Sequence, residues 1–209
     1  MYTKKLNTVL AFHGCDAGIR DAVVNGAELK PSTNSYDWLG NGIYFWESDP
    51  VRAFEWAVQA KERKDSSVME PAVLGAVLDL GNCLDLTERS SVPILKLGHK
   101  WLEKACLKEG REMPKNKNIK NNADLLLRDL DCAVIQKIHE ITKQHSDKIA
   151  PFDSVRGLFL EGNEVYNGSG FREKHIFRYV LLTRTVLKGI FCQENWIRRI
   201  RRLDKQYML

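Results

Sequence analysis

The sequence predicts an α/β (α+β) fold whose strands pair mainly antiparallel, with helices flanking and interrupting them. Three observations carry that expectation. Short β-branched and aromatic runs alternate with helix caps in the first part of the chain, and two long segments of helical periodicity stand together in the middle. Closely spaced apolar runs separated by glycine-rich turns fill the last third, a spacing that favours antiparallel pairing.

With 209 residues, 44% hydrophobic and 28% charged, the chain has the composition of an ordinary globular protein and the length of one domain, read here as residues 1–209. The amino end, Met1 to Lys5, is basic, but the apolar run after it is short and lacks a small-residue cleavage site. No run approaches the ~20 apolar residues of a membrane span, so a cytoplasmic protein with no membrane partner is expected. Cys15, Cys83, Cys106, Cys132 and Cys192 are odd in number and lack a Cys-x-x-Cys pair, which argues for reduced, buried thiols over a disulfide framework or a zinc site. The net charge is +5, and much of the positive charge gathers in Lys115, Lys117 and Lys120 and in Arg198, Arg199, Arg201, Arg202 and Lys205. Such patches are either solvated helix faces or contacts for an anionic partner.

Taken in order, Thr8 to Phe12 reads as a strand ending at His13-Gly14. Asp16 caps a short helix through Val24, which Asn25-Gly26 closes. From Ala27 to Gly42 no period appears, and Pro31, Ser32, Asn34 and Asp37 mark a structured loop. Gly40-Asn41-Gly42 then turns into a short strand, Ile43 to Trp46, that fixes Tyr44 in place. Asp49-Pro50 starts a helix to about Lys64, with Val51, Phe54 and Val58 marking its apolar face and Trp56 off that face.

Ala72 to Leu80 is apolar almost throughout, as a central strand covered on both sides would be. Residues from about 88 to 149 read as a helical insertion. Its first helix or pair lies within Thr87 to Gly110; a lysine- and asparagine-rich loop follows to Asn122; a second helix runs from Ala123 to about His145, with Leu126, Leu130, Val134, Ile138 and Ile141 at helical spacing. Strands are expected at Val155 to Leu160, Lys174 to Thr183 and Val186 to Cys192, and a basic helix over about 193–209 with Trp196 on its apolar side.

His13-Gly14, Gly40-x-Gly42-x-Tyr44-Phe45, the helix carrying Ala53, and Glu173 at the opening of a late strand together resemble the NAD-dependent ADP-ribosyltransferases. The branch they resemble has a histidine, tyrosine and glutamate triad, shared by poly(ADP-ribose) polymerases and diphtheria toxin. The stretches Tyr36 to Gly40, Asp153 to Gly157 and Phe159-x-Glu161-Gly162 look like small bacterial and phage members, some of them toxins of toxin–antitoxin or antiviral defence systems.

The resemblance implies a split, mainly antiparallel sheet core and NAD as a substrate, with no metal. It implies His13, Tyr44 and Glu173 as catalytic residues. His13 would bond a ribose hydroxyl, Gly14 would meet the nicotinamide amide through its backbone, and Tyr44, delivered by Gly42, would stack on the nicotinamide ring. Glu173 would stabilise the positive charge that develops on the ribose, with Glu161 as its rival. Ser32 in the loop, Trp56 on the far wall and Arg156 toward a phosphate complete the implied NAD contacts. Arg52 stands where the family has a small hydroxyl residue before the alanine, and Glu55 where a second stacking tyrosine falls. The implied acceptor is a macromolecule, nucleic acid such as RNA or else protein, and a toxin would also need an antitoxin partner. An NAD glycohydrolase, a silent binding module of the same fold, and an RNA 2′-phosphotransferase stand as alternatives.

Overall fold

The computed structural model describes residues 8–117, 127–182 and 187–192. Its elements are β1 (Thr8–Asp16), α1 (Ala17–Val24), β2 (Ile43–Glu47), α2 (Pro50–Lys61), β3 (Pro71–Asp79), β4 (Cys83–Asp85), α3 (Ser91–Glu109), α4 (Asp129–Gln144), β5 (Ser154–Glu164), β6 (Arg172–Leu181) and β7 (Leu187–Cys192). The fold is mixed α+β with mostly antiparallel pairing, as the sequence predicts. Contacts divide it into two units: Met1–Leu29, Phe45–Asp79 and Thr185–Leu209 form the first, Lys30–Tyr44 and Leu80–Arg184 the second. The boundary cuts β2 between Tyr44 and Phe45.

In the first unit the strand order is β2-β1-β3-β7, every pair antiparallel. β1 and β3 pair along their whole lengths, from Thr8 opposite Asp79 to Asp16 opposite Pro71. The sequence places the end of β1 near Phe12, yet it runs to Asp16, so His13 and Gly14 lie inside the ladder opposite Leu74 and Val73. β-branched and small residues on β3 supply that continuous partner, and β3 is the central strand expected. Instead of extending the preceding hairpin, β7 pairs with β3, and Phe191 covers Gly75, where a Cβ would come within 2.2 Å of its ring.

Asp16 ties the start of α1 to the approach of β3. One carboxylate oxygen accepts from the Gly18 N–H at 2.9 Å, and the other accepts from the N–H groups of Met69 and Glu70 at 2.8 and 2.9 Å. These bonds, with those from Glu70, Gly18 and Met69 in that order of weight, hold the carboxyl below its ordinary range.

The Asp49 side chain caps α2 by accepting from the Arg52 N–H. The buried face of α2 is not the one its larger apolar residues suggest: Ala53, Ala57 and Ala60 are buried with Arg52, while Val51, Phe54 and Val58 are half-buried. Closeness explains the reversal. A Cβ on Gly14 would lie 2.1 Å from the Ala53 carbonyl oxygen and 3.3 Å from the Trp56 ring, so α2 lies directly on β1, where only small residues fit.

In the second unit the order is β4-β5-β6, with β4 parallel to β5 and β5 antiparallel to β6. The short strand β4 escapes the sequence reading. Its parallel pairing requires a crossover, which the α3–α4 hairpin supplies. α3 ends at Gly110 in the left-handed conformation (φ 66°), and α4 begins at Asp129, later than the periodicity suggests, after a bridge between Lys117 and Leu127. Gly98 lets the helices close, since a Cβ there would meet Ile138 at 2.5 Å. Ile135 and Ile138 join Leu39, Leu84, Leu102, Val155, Phe159 and Val180 in the core of this unit, each such side chain stabilising by roughly 1.5–3 kcal/mol as an upper estimate.

Among the described residues no helix is long and apolar enough to cross a membrane. Cys15, Cys106 and Cys132 are buried free thiols and Cys83 is half-buried, whereas Cys192, expected inside, is exposed. The basic helix expected over 193–209, Lys120, Leu126 and Val186 lie outside the described residues.

His139 on α4 makes an edge contact with Phe152 at 6.2 Å, and among the described residues neither of its buried ring nitrogens has a hydrogen-bond partner. Burial lowers its pKa to about 4, against about 6.5 in an unfolded chain. The unfolded chain therefore takes up a proton first, so stability should be fully present above about pH 6.5 and fall as pH drops from there to about 4. Urea titrations at several pH values should show that loss in the parent and less of it in His139→Leu. Gly14→Ala should destabilise by about 1–3 kcal/mol, because the obstacle is backbone. Gly170→Ala, with open space around it, is the control, and equal urea midpoints for the two would refute the close approach of α2.

Candidate functional site

The residues implied by the sequence divide between the units: His13, Gly14 and Trp56 in the first, and Ser32, Gly42, Tyr44, Arg156 and Glu173 in the second. In the second unit, Asp37 organises the loop. Its carboxylate accepts from the Ser32 hydroxyl at 2.6 Å and from the Asn34 N–H at 3.1 Å, and the Gly40 N–H donates to its carbonyl at 3.0 Å. Burial raises the Asp37 pKa, with the Ser32 and Asn34 bonds offsetting part of the rise. Ser32 is thus held twice, by its hydroxyl and by a two-way backbone pairing with Gly42 at 2.8 and 3.0 Å.

Backbone conformation and space require both glycines of the turn. Gly40 has φ 84° and Gly42 φ 151°, and a Cβ on Gly42 would strike Val180 at 2.4 Å and the Leu181 carbonyl at 2.6 Å. Tyr44 then reaches back over its own turn. Its hydroxyl donates to the Gly40 carbonyl at 2.7 Å and accepts from the Leu39 N–H at 3.1 Å. Burial, reinforced by the Asp37 charge, pushes the phenol pKa far up, so the group stays protonated. The hydroxyl is thus committed to the turn, while the half-buried ring packs against the core of the second unit.

Arg156 is also committed. Its Nη1 donates to the Asp85 carboxylate at 3.1 Å, and its guanidinium lies 4.5 Å from the Phe177 ring centroid and 5.7 Å from that of Tyr179. Burial pulls the Asp85 pKa up, but bonds from the Thr87 hydroxyl and N–H and from Arg156 outweigh it and leave the carboxyl lowered. Glu173 is the second residue of β6, next to Arg172, which pairs opposite Glu164, and Lys174, which pairs opposite Glu161; the register shifts between those two partners.

In the first unit the β1–β2 ladder pairs Ala11 with Glu47 and Phe12 with Trp46. His13 follows directly, its ring 5.5 Å from the Phe45 ring and tilted 48°. Gly14 is buried under α2, so its missing side chain serves packing whatever else its backbone does. Trp56 packs on Trp46 at 5.9 Å, and the buried Arg52 places its guanidinium 5.7 Å from the Trp46 ring. Trp46 and Asp37 are members of these clusters that sequence reasoning did not single out. The signal for the first lay in spacing: Arg52 and Trp56, four apart on a helix, share a face, as Tyr44 and Trp46 share a strand face.

No protein-family model matches the chain, and no solved structure matches it. An uncharacterized protein of Methanocaldococcus jannaschii is 28% identical over 79 residues, 37% of this chain and 36% of that protein, so the chain spans little more than a third of that curated relative.

Tyr44→Phe removes a buried donor and acceptor together and leaves the Leu39 N–H and Gly40 carbonyl short of a partner. It should destabilise by about 1–3 kcal/mol in urea titration, and unchanged stability would show that the turn does not need the hydroxyl.

Proposed function

We propose that this chain is a cytoplasmic enzyme that transfers ADP-ribose from NAD to a macromolecular acceptor, nucleic acid or protein, as a toxin held in check by an antitoxin. The observation that carries the reading is the state of Tyr44: a tyrosine whose hydroxyl is fully engaged by Leu39 and Gly40 is suited to stacking and unsuited to proton transfer. That is the role the resemblance implies for it. A preformed turn also holds the ring without a further ordering cost when ligand arrives.

The chemistry assigns the other roles. An acceptor oxygen or nitrogen forms a bond to C1′ of the ribose as the bond to nicotinamide breaks, and nicotinamide leaves with that electron pair. Positive charge grows on the ribose meanwhile, and the Glu173 carboxylate stabilises it. The acceptor's proton passes to Glu173 or to water. His13 orients the ribose through a hydroxyl. Ser32 and Gly42 keep the turn in register and so act through Tyr44. Arg156, tied to Asp85, would have to exchange that partner for a phosphate, which makes it the weakest member of the set. Water in place of the acceptor would make the same residues an NAD glycohydrolase.

Incubation with labelled NAD and total RNA, DNA and cell protein should move label into one macromolecular fraction. Label that stays soluble in every mixture would exclude transfer and leave hydrolysis. Glu173→Ala should lower transfer at least a hundredfold, on the order of one lost electrostatic stabiliser, while an NAD-induced melting shift persists. Full activity in that variant would move the carboxylate role to Glu161.

A further inference from the structure

The helical hairpin of the second unit covers a cavity that none of the roles above uses. Its volume is about 640 Å³, within the roughly 300–1,000 Å³ of small-molecule sites. Trp38 and Phe159 form an aromatic end, their rings 4.5 Å apart and inclined at 52°. Leu39, Leu95 from α3, and Val134 and Ile135 from α4 make the walls aliphatic. The polar lining is Thr87, whose hydroxyl donates to Asp85, with Lys96 and His99, three apart on α3, and Arg128, the residue that precedes α4. Arg128 sits 4.1 Å from the Trp38 ring centroid, with Asp131, the carboxylate of the lining, 3.7 Å from it.

We propose that this cavity binds a small amphipathic anion, an apolar ring or chain ending in a single acidic head. The aliphatic walls of Leu39, Leu95, Val134 and Ile135 supply no side-chain donors or acceptors, so the part of a ligand that lies against them is best a hydrocarbon body, with polar atoms confined to the end that meets Lys96, His99 and Arg128. Charge selects the head. Lys96 and Arg128 outnumber Asp131, which already faces Arg128, so a carboxylate or sulfonate meets Lys96 and the His99 ring N–H at the rim in charge-assisted bonds, and a cation is repelled. Arg128 and Arg178 lie over the Trp38 ring at 4.1 and 5.2 Å and over the Phe159 ring at 5.9 and 5.1 Å, so an aromatic body would pack on the ring edges of this end. The site is independent of the NAD reading, since it needs none of His13, Tyr44 or Glu173.

The test uses the full chain with anilinonaphthalene sulfonate as the fluorescent probe. One equivalent should bind, decanoate should displace it, and decanol of the same chain length should be about tenfold weaker for want of a charge-assisted bond. Exposed Lys96→Glu should weaken probe and decanoate by a similar factor, and Leu95→Trp, which narrows the cavity, should block both while melting as a folded protein. Saturating NAD should leave the probe bound, and Glu173→Ala should bind it like the parent. Equal displacement by decanol and decanoate, an unchanged affinity in Lys96→Glu, or displacement by NAD would each overturn the proposal; the last would assign the cavity to NAD.

Discussion

The hydroxyl of Tyr44 closes the turn that precedes it, and the second unit is arranged around that closure. A single phenol satisfies the N–H of Leu39 and the carbonyl of Gly40, two backbone groups that a left-handed glycine takes out of regular pairing. Because Leu39 is thereby fixed, its side chain can enter the core beside Ile135 and Val155. Because Gly42 then lies flat against β6, Ser32 finds its backbone partner and Asp37 can gather the loop. Every later step inherits the geometry of that one group.

The first unit depends on a comparable economy of size. Gly14 brings the backbone of β1 against that of α2, and the alanine face of the helix follows from it. Packing by itself accounts for some of the residues to which a ligand role is proposed. Gly14 and Arg156 are of that kind, the one accounted for by Ala53 and the other by Asp85 with Phe177 and Tyr179. Tyr44 is held at both ends, its hydroxyl by Leu39 and Gly40 and its half-buried ring against the core, which leaves proton transfer out of its reach.

Much of the fold was legible because local rules set it. Asp16, Asp49-Pro50 and Gly110 mark helix ends where they occur, and the apolar run of β3 reads correctly as central. What failed to show depends on long-range partners. β1 overran its apolar stretch because β3 offered a ladder through Asp16; α2 buried alanines because Gly14 admitted them; and β7 chose β3 over its sequence neighbour. Of the candidate residues, the Gly40 to Tyr44 turn was legible as a turn, but the bonds of its hydroxyl were not, since no periodicity encodes which backbone groups a phenol meets. The Trp46, Arg52 and Trp56 cluster was within reach of strand and helix periods, and the Asp37 hub was not.

The parallel pairing of β4 with β5 carries a consequence for how the chain assembles. Asp85 and Arg156, joined across it, stand 71 residues apart, while α3 and α4 associate across a much shorter connection. Closing the longer loop has little entropy left to lose once the helices have met, so the hairpin is a natural first event and the strand pair a late one. Cys83 to Asp85 are then expected to order after the hairpin has formed. A newly made chain would expose that edge of β5 until the helices had brought its partner home.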